Sequence, residues 1–170
     1  DIETYELAIL EIIKSGYEVV RVSSWAKPTN IQIQGFVDYS NSGFRSDRND
    51  LLLMSKCEFV VSTNSGVDEL ATIYRKPVYI LNFLPIGDFR LSKLRPYIFP
   101  KGLIDAKSKS PLTKEKIVDL NLWKANSTYQ YAEKNVEVIN LSAEELELGM
   151  REVIKIHKNR GKVNISNSEN

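Results

Sequence analysis

A strand, a short polar loop and a helix are predicted by one stretch of the sequence, Phe59-Val60-Val61-Ser62-Thr63-Asn64-Ser65-Gly66-Val67-Asp68-Glu69-Leu70-Ala71. The apolar and β-branched residues at its start are typical of a buried strand. Val67, Leu70 and Ala71 fall at helical spacing, so a helix begins at the glycine. Small polar residues and one glycine separate the two elements.

The same alternation of helix and strand extends along the first half of the chain. Three passages from helix to strand within about 80 residues indicate a parallel sheet with helices on its faces. The predicted elements are a helix that ends at Ser15-Gly16, a strand within residues 17–22, a strand centred on Phe36-Val37, a helix over residues 48–56 that Asp47 can cap, a strand over residues 57–62 buried on both sides, a helix closed by Pro77, and a strand over residues 78–81.

The second half is less regular. Residues 82–110 are rich in proline and glycine and are predicted to form a long irregular loop, a candidate lid or acceptor-side loop. A helix over residues 113–120, a polar helical piece within 122–134 and a strand over 136–140 follow. Ser142 and Glu145 fit a capping box at the start of a final helix, and residues 160–170 are expected to be disordered. The predicted fold is one α/β domain over residues 1–159, a Rossmann-like three-layer arrangement with a mainly parallel sheet.

The amino-acid composition argues against several classes of function. Lys and Arg number 23 against 22 Asp and Glu, a formal charge of +1, which does not favour a nucleic-acid partner. The single cysteine, Cys57, has no partner for an intrachain disulfide and indicates a cytoplasmic protein. Cys57 and the single histidine, His157, are far apart in the sequence, so no zinc site is expected. No apolar run is long enough to span a membrane.

The junction between the strand and the helix is the candidate binding site. Free N–H groups and the positive end of a helix dipole suit a pyrophosphate, and small side chains allow it to approach. Glu69, one turn into the helix, can accept hydrogen bonds from ribose hydroxyls. The alternative is a well-capped turn without a ligand, because Ser, Thr and Asn are also favoured caps. The loop lacks the lysine of a P-loop and the spaced glycines of dinucleotide folds.

Four further side chains are candidates for the same crevice. Arg21 ends a strand and can pair with a phosphate, and Asp38 can orient a sugar hydroxyl. Arg45 and Arg48 flank a loop and can close over phosphate. The alternative for Arg21 is a surface arginine whose stem covers the sheet. Asp38 could instead cap the turn at residues 40–43. Arg45 and Arg48 could instead form charge pairs with Asp47 and Asp50.

The sequence resembles a group of glycosyltransferases from bacterial surface-polysaccharide loci, over about residues 1–150. More distantly, the serine-glycine loop, Glu69 and the Lys76-Pro77 turn resemble the donor domain of GT-B glycosyltransferases and the nucleotide-sugar 2-epimerases. The matching segments are Asp1-Ile2-Glu3-Thr4-Tyr5, Gly16-Tyr17-Glu18-Val19-Val20-Arg21-Val22, Phe36-Val37-Asp38-Tyr39-Ser40, Asn49-Asp50-Leu51-Leu52-Leu53, residues 59–66, and Lys76-Pro77-Val78-Tyr79-Ile80-Leu81-Asn82-Phe83-Leu84-Pro85.

The resemblance implies a GT-B C-terminal domain that binds a nucleotide-diphosphate sugar without a metal or cofactor and transfers the sugar to a glycan acceptor. It implies that Ser62, Thr63, Asn64, Ser65 and Gly66 contact the diphosphate and that Glu69 contacts the ribose. It assigns no catalytic base. Members of this group carry a longer stretch before the region that matches Asp1, and they tend to place a glycine where this chain has Ser23-Ser24. The chain is therefore expected to be part of a two-domain enzyme and to be incomplete alone.

Two other functions are open at this point. A nucleotide-sugar epimerase needs titratable side chains on both sides of the sugar ring, and this sequence offers few beyond Asp38 and Glu69. A non-catalytic module that binds a nucleotide sugar, or that serves in assembly, needs only the binding loop.

Overall fold

The chain divides into two units. The computed structural model describes residues 1–88, 94 and 97–163. The first unit combines Asp1–Cys57 with the segment that begins at Ser142, and the second unit is Glu58–Leu141. The single domain expected over residues 1–159 stays a prediction.

The first unit is built on two helices that pack against each other. Helix α1 (Glu6–Lys14) packs on the terminal helix α6 (Ala143–Val163), and the buried side chains of the two include Ile9, Leu146 and Val153. The helix predicted to end at Ser15-Gly16 does so, since Gly16 adopts a φ of +94°. The unit also contains strands β1 (Val19–Val20) and β2 (Phe36–Val37), which pair in parallel, and helix α2 (Asp47–Lys56).

The predicted capping box at the start of α6 is confirmed. The N–H of Ser142 donates to the Glu145 carboxylate at 2.8 Å, and the N–H of Glu145 donates to the Ser142 hydroxyl at 3.2 Å. At its other end the helix continues through Val163. The disorder predicted for residues 160–170 stays a prediction. Residues 164–170 lie outside the described residues.

Strand β4 (Val78–Phe83) is the centre of the second unit, and all six of its residues are buried. It pairs in parallel with β3 (Val60–Ser62) on one side and with β5 (Tyr97–Pro100) on the other. A second core joins Leu103, Leu122, Ala125, Tyr131 and Val136. The remaining elements are α3 (Val67–Ile73), β6 (Gly102–Asp105), α4 (Lys114–Asp119), α5 (Thr128–Glu133) and β7 (Val136–Ile139), with β6 and β7 antiparallel.

Three details correct the sequence-based expectations. Helix α2 is capped by Ser46 and not by Asp47, because the extended Ser46 backbone lets its hydroxyl accept the N–H of Asn49 at 3.2 Å. Strand β3 is shorter than expected and only half-buried. Strands β5 and β6 lie within residues 82–110, where an irregular loop was predicted, since prolines and glycines at their ends mask a short apolar strand. Residues 89–93 and 95–96 of that segment lie outside the described residues.

The fold is therefore mixed α/β with small, mostly parallel sheets. The strand order is β1-β2 in one sheet, β3-β4-β5 in the next and β6-β7 in the last. A Rossmann-like three-layer arrangement stays a prediction. Every helix within residues 1–88 and 97–163 is too short or too polar to cross a bilayer.

The turn at Ile86–Asp88 approaches the backbone of another turn at Leu122–Lys124. A Cβ atom built on Gly87 would overlap the carbonyl oxygen of Trp123. A backbone atom cannot rotate away as a flexible side chain can. Only glycine therefore permits this approach of the two turns.

We expect Gly87→Ala to lower the free energy of unfolding by about 1–3 kcal/mol, because the added methyl group forces the two turns apart. Urea unfolding followed by circular dichroism measures the change. Gly66→Ala is the matched control, since a Cβ on Gly66 meets no atom within 4 Å. Equal stability of the two variants would show that the approach at Gly87 is not tight.

Candidate functional site

The loop at residues 62–66 lies at the carboxyl end of β3, as predicted. Ser62 is the last residue of β3 and is paired with Ile80 of the parallel strand β4. Helix α3 begins at Val67, so the loop joins the end of a parallel strand directly to the start of a helix. Ligands of parallel α/β sheets bind at this edge, outside the carboxyl ends of the strands.

The loop is short, sharply turned and open to solvent. Asn64 adopts a φ of +68°, the left-handed conformation that asparagine tolerates better than most residues. Thr63, Ser65 and Gly66 are exposed. Because no atom lies within 4 Å of a Cβ on Gly66, a ligand can approach the backbone there.

Asp68 closes the loop onto the first turn of α3. Its side chain is 1% exposed. The N–H of Ser65 donates to Asp68 Oδ2 at 3.0 Å, and the Ser65 hydroxyl donates to Oδ1 at 3.4 Å. In return, the N–H of Asp68 donates to the Ser65 carbonyl at 3.0 Å. Asp68 was not among the predicted site residues, although the Ser-x-x-Asp spacing resembles a capping box and could have revealed it.

The cap divides the loop amides into two sets. The Ser65 amide is occupied by Asp68, as in the alternative of a well-capped turn. Among the residues that the structure describes, the amides of Asn64, Gly66 and Val67 have no hydrogen-bond acceptor. These three N–H groups and the exposed Thr63 hydroxyl remain as donors for an anion.

Glu69 follows Asp68 in the first turn of α3 and is exposed. It lies in the helix that follows the loop, one residue beyond Asp68. The proposed contact between Glu69 and a ribose hydroxyl stays a prediction.

In the first unit, Arg21 and Asp38 form an ion pair at the carboxyl ends of β1 and β2. The Arg21 guanidinium donates to Asp38 Oδ2 at 3.3 Å and to the Lys27 carbonyl at 2.9 Å. The side chain of Arg21 is 15% exposed and that of Asp38 is 17% exposed, so neither is an ordinary surface group. A phosphate would compete with Asp38 for the guanidinium.

Asp38 does not cap the backbone of the following turn. Its Oδ2 accepts from the side-chain amide of Asn41 at 2.8 Å. Its Oδ1 is buried and has no hydrogen-bond partner in the described part of the chain. The role of Asp38 in orienting a sugar hydroxyl stays a prediction.

Arg45 forms an ion pair with Asp50 at 3.1 Å, which is the alternative to phosphate binding given for it above. It also donates to the Ser24 hydroxyl at 3.1 Å. The Tyr39 hydroxyl donates to the same carboxylate at 2.9 Å. Burial raises the pKa of the Tyr39 phenol, and the neighbouring Asp50 raises that pKa further. These contacts hold the loop before α2 in place. Arg48 is exposed on α2.

The predicted site residues thus fall into separate groups. Ser62, Thr63, Asn64, Ser65, Gly66 and Glu69 lie together in the second unit, Arg21 pairs with Asp38 in the first, and Arg45 lies with Asp50. Within residues 1–88 and 97–163, no three His, Cys, Asp or Glu side chains converge as ligands for a metal ion.

Comparison with known proteins gives no matching family model, no matching curated protein and no matching solved structure.

Replacing the buried carboxylate tests whether it organises the loop. We expect Asp68→Ala to lower the free energy of unfolding by about 1–3 kcal/mol, because the Ser65 amide loses its acceptor. Asp68→Asn retains an acceptor oxygen and should lose less. Chemical unfolding of each variant gives the values, with Asp119→Ala on the exposed surface of α4 as the control. If Asp68→Ala is as stable as the control, the cap does not stabilise the fold.

Proposed function

We propose that the chain is the nucleotide-sugar-binding domain of a glycosyltransferase and that the donor diphosphate binds at the loop of residues 62–66. One observation carries the proposal. At the carboxyl end of β3, the amides of Asn64, Gly66 and Val67 have no acceptor within the described residues, and the loop that carries them is exposed. Clustered backbone donors of this kind suit the oxygen atoms of a diphosphate.

The same donors supply the chemistry of transfer. When the glycosidic bond of the donor breaks, negative charge builds up on the departing diphosphate. Backbone N–H groups already in place stabilise that charge without reorganisation. The Thr63 hydroxyl adds a donor at the exposed edge of the loop, and Glu69 is proposed to accept a hydrogen bond from the ribose.

The cap by Asp68 refines the set of donors. Because the Ser65 amide already donates to Asp68, it is not available to a ligand. The diphosphate is therefore proposed to bind on the side of Asn64 and Gly66. By fixing the Ser65 backbone, Asp68 also holds the first turn of α3 in one conformation. A loop ordered before binding loses less entropy when the ligand arrives.

The proposal does not depend on Arg21. One nitrogen of its guanidinium already donates to Asp38 and to the Lys27 carbonyl, so a phosphate at that nitrogen would compete with these partners. Transfer to a surface-polysaccharide acceptor rests on the sequence resemblance. A non-catalytic module would bind the same diphosphate without transferring sugar.

The proposal is tested by binding of uridine, guanosine, cytidine and thymidine diphosphates. A thermal-shift screen identifies the nucleotide, because a ligand of the native state raises the melting temperature. Titration calorimetry then compares the wild type with Gly66→Leu. We expect the variant to lose binding by at least about tenfold, since the new side chain covers the amides of the loop.

Ala132→Leu is the matched control, because it adds a larger apolar side chain at an exposed helical position of the same unit. It should bind as the wild type does. Wild-type affinity in Gly66→Leu, or no binding of any nucleoside diphosphate to the wild type, would contradict the proposal. Binding without sugar transfer to any acceptor would favour the non-catalytic module.

A further inference from the structure

Lys101 is a half-buried basic residue at the carboxyl end of strand β5. It directly follows Pro100, the last residue of the strand, and its N–H donates to the Phe83 carbonyl at 3.1 Å, so the pairing with β4 extends to it. Within the described part of the chain, the ammonium group of Lys101 has no hydrogen-bond or ion-pair partner. Lysines that lose contact with solvent are usually paired, so this one is open to an external anion.

The parallel register brings Lys101 to the same edge of the sheet as the loop of residues 62–66. Ser62 is aligned with Ile80 of β4, and Ile80 is aligned with Ile98 of β5. Strands β3, β4 and β5 are neighbours in that order, so two strand spacings, roughly 10 Å, separate β3 from β5. Because all three strands run in the same direction, the segments that follow them emerge at one edge.

Strand alternation assigns Lys101 and Thr63 to the same face of this sheet. The rings of Tyr97 and Phe99 are in contact with their centroids 6.3 Å apart, as expected for residues two apart on one face, and Lys101 continues this series. Through β4, Tyr97 is aligned with Val61, which lies two residues before Thr63. The exposed Thr63 hydroxyl is one of the proposed donors to the diphosphate.

The loop itself lacks a positively charged side chain for an anionic ligand. Residues 62–69 contain two carboxyl groups and no basic residue, and residues 84–88, which follow β4, contain no basic residue either. Among the described segments that directly follow β3, β4 and β5, Lys101 is therefore the basic residue. Backbone amides supply partial charges, whereas a diphosphate is a multiply charged anion that an ammonium group attracts more strongly.

We propose that Lys101 is a further phosphate-binding residue, whose ammonium group pairs with one phosphate of the diphosphate while the loop at residues 62–66 binds the other. The inference rests on the proposed function, since the diphosphate has to bind at that loop. The long, flexible stem of the lysine and the length of the diphosphate together cover the separation between β5 and β3. Lys101 therefore makes the site selective for a diphosphate over a monophosphate.

Titration calorimetry compares the wild type with Lys101→Gln. The probes are uridine, guanosine, cytidine and thymidine diphosphates and the four corresponding monophosphates. For the diphosphate that the wild type binds most tightly, the variant should raise the Kd by at least about tenfold, because a charge-assisted hydrogen bond is lost. The Kd of the matching monophosphate should change by less than about threefold, because the loop alone binds a single phosphate.

Lys76→Gln is the matched control. Lys76 is also half-buried and without a side-chain partner among the described residues, but it lies two residues before β4, at the opposite edge of the same sheet. The control removes the same charge from the same unit, so it should leave the Kd of the diphosphate unchanged. Circular dichroism spectra confirm that each variant is folded.

The outcomes separate this inference from the proposed function. Weakened binding in Gly66→Leu with an unchanged Kd in Lys101→Gln overturns the role of Lys101 and leaves the proposed function standing. Equal losses for the diphosphate and the monophosphate in Lys101→Gln overturn the selectivity. Weakened binding in Lys101→Gln with wild-type affinity in Gly66→Leu contradicts the loop as the binding site, and with it the shared binding of the two phosphates. A wild type that binds none of the probes contradicts both proposals.

Discussion

The parallel pairing of β3 with the buried strand β4 determines where the candidate site of the second unit lies. All six residues of β4 are buried, and β3 is aligned to it with Ser62 opposite Ile80. A buried strand cannot slip by one residue without turning its side chains to the other face of the sheet. The end of β3 is therefore held in one place, and the loop that follows it emerges at the carboxyl edge of the sheet.

At that edge, a carboxylate and a set of amide donors share a very short segment. Asp68 satisfies the Ser65 amide with a buried side chain. The hydrogen bond that orders the loop therefore removes the Ser65 amide from the donors open to an anion. A diphosphate is accordingly proposed to bind at the Asn64 and Gly66 amides, where the helix dipole favours it and the carboxylate is not the immediate neighbour.

Sequence patterns predicted the structure correctly where a single periodicity or a single cap determines an element. The capping box at Ser142 and the stop at Gly16 were both predicted, because each depends on residues within a few positions of one another. The cap at Ser46 and the strands at Tyr97–Pro100 and Gly102–Asp105 were missed. In these places two adjacent residues compete for one role, or a strand is too short to show its period.

The amino-acid sequence by itself determined the α/β alternation, the position of the polar loop between β3 and α3 and the start of the terminal helix. Only the tertiary structure decided that Arg21 pairs with Asp38, that Asp68 occupies the Ser65 amide and that Leu51 and Leu52 face solvent. Periodicity reports which side chains share a face. It does not report which face another part of the chain covers, because that depends on contacts between residues distant in the sequence.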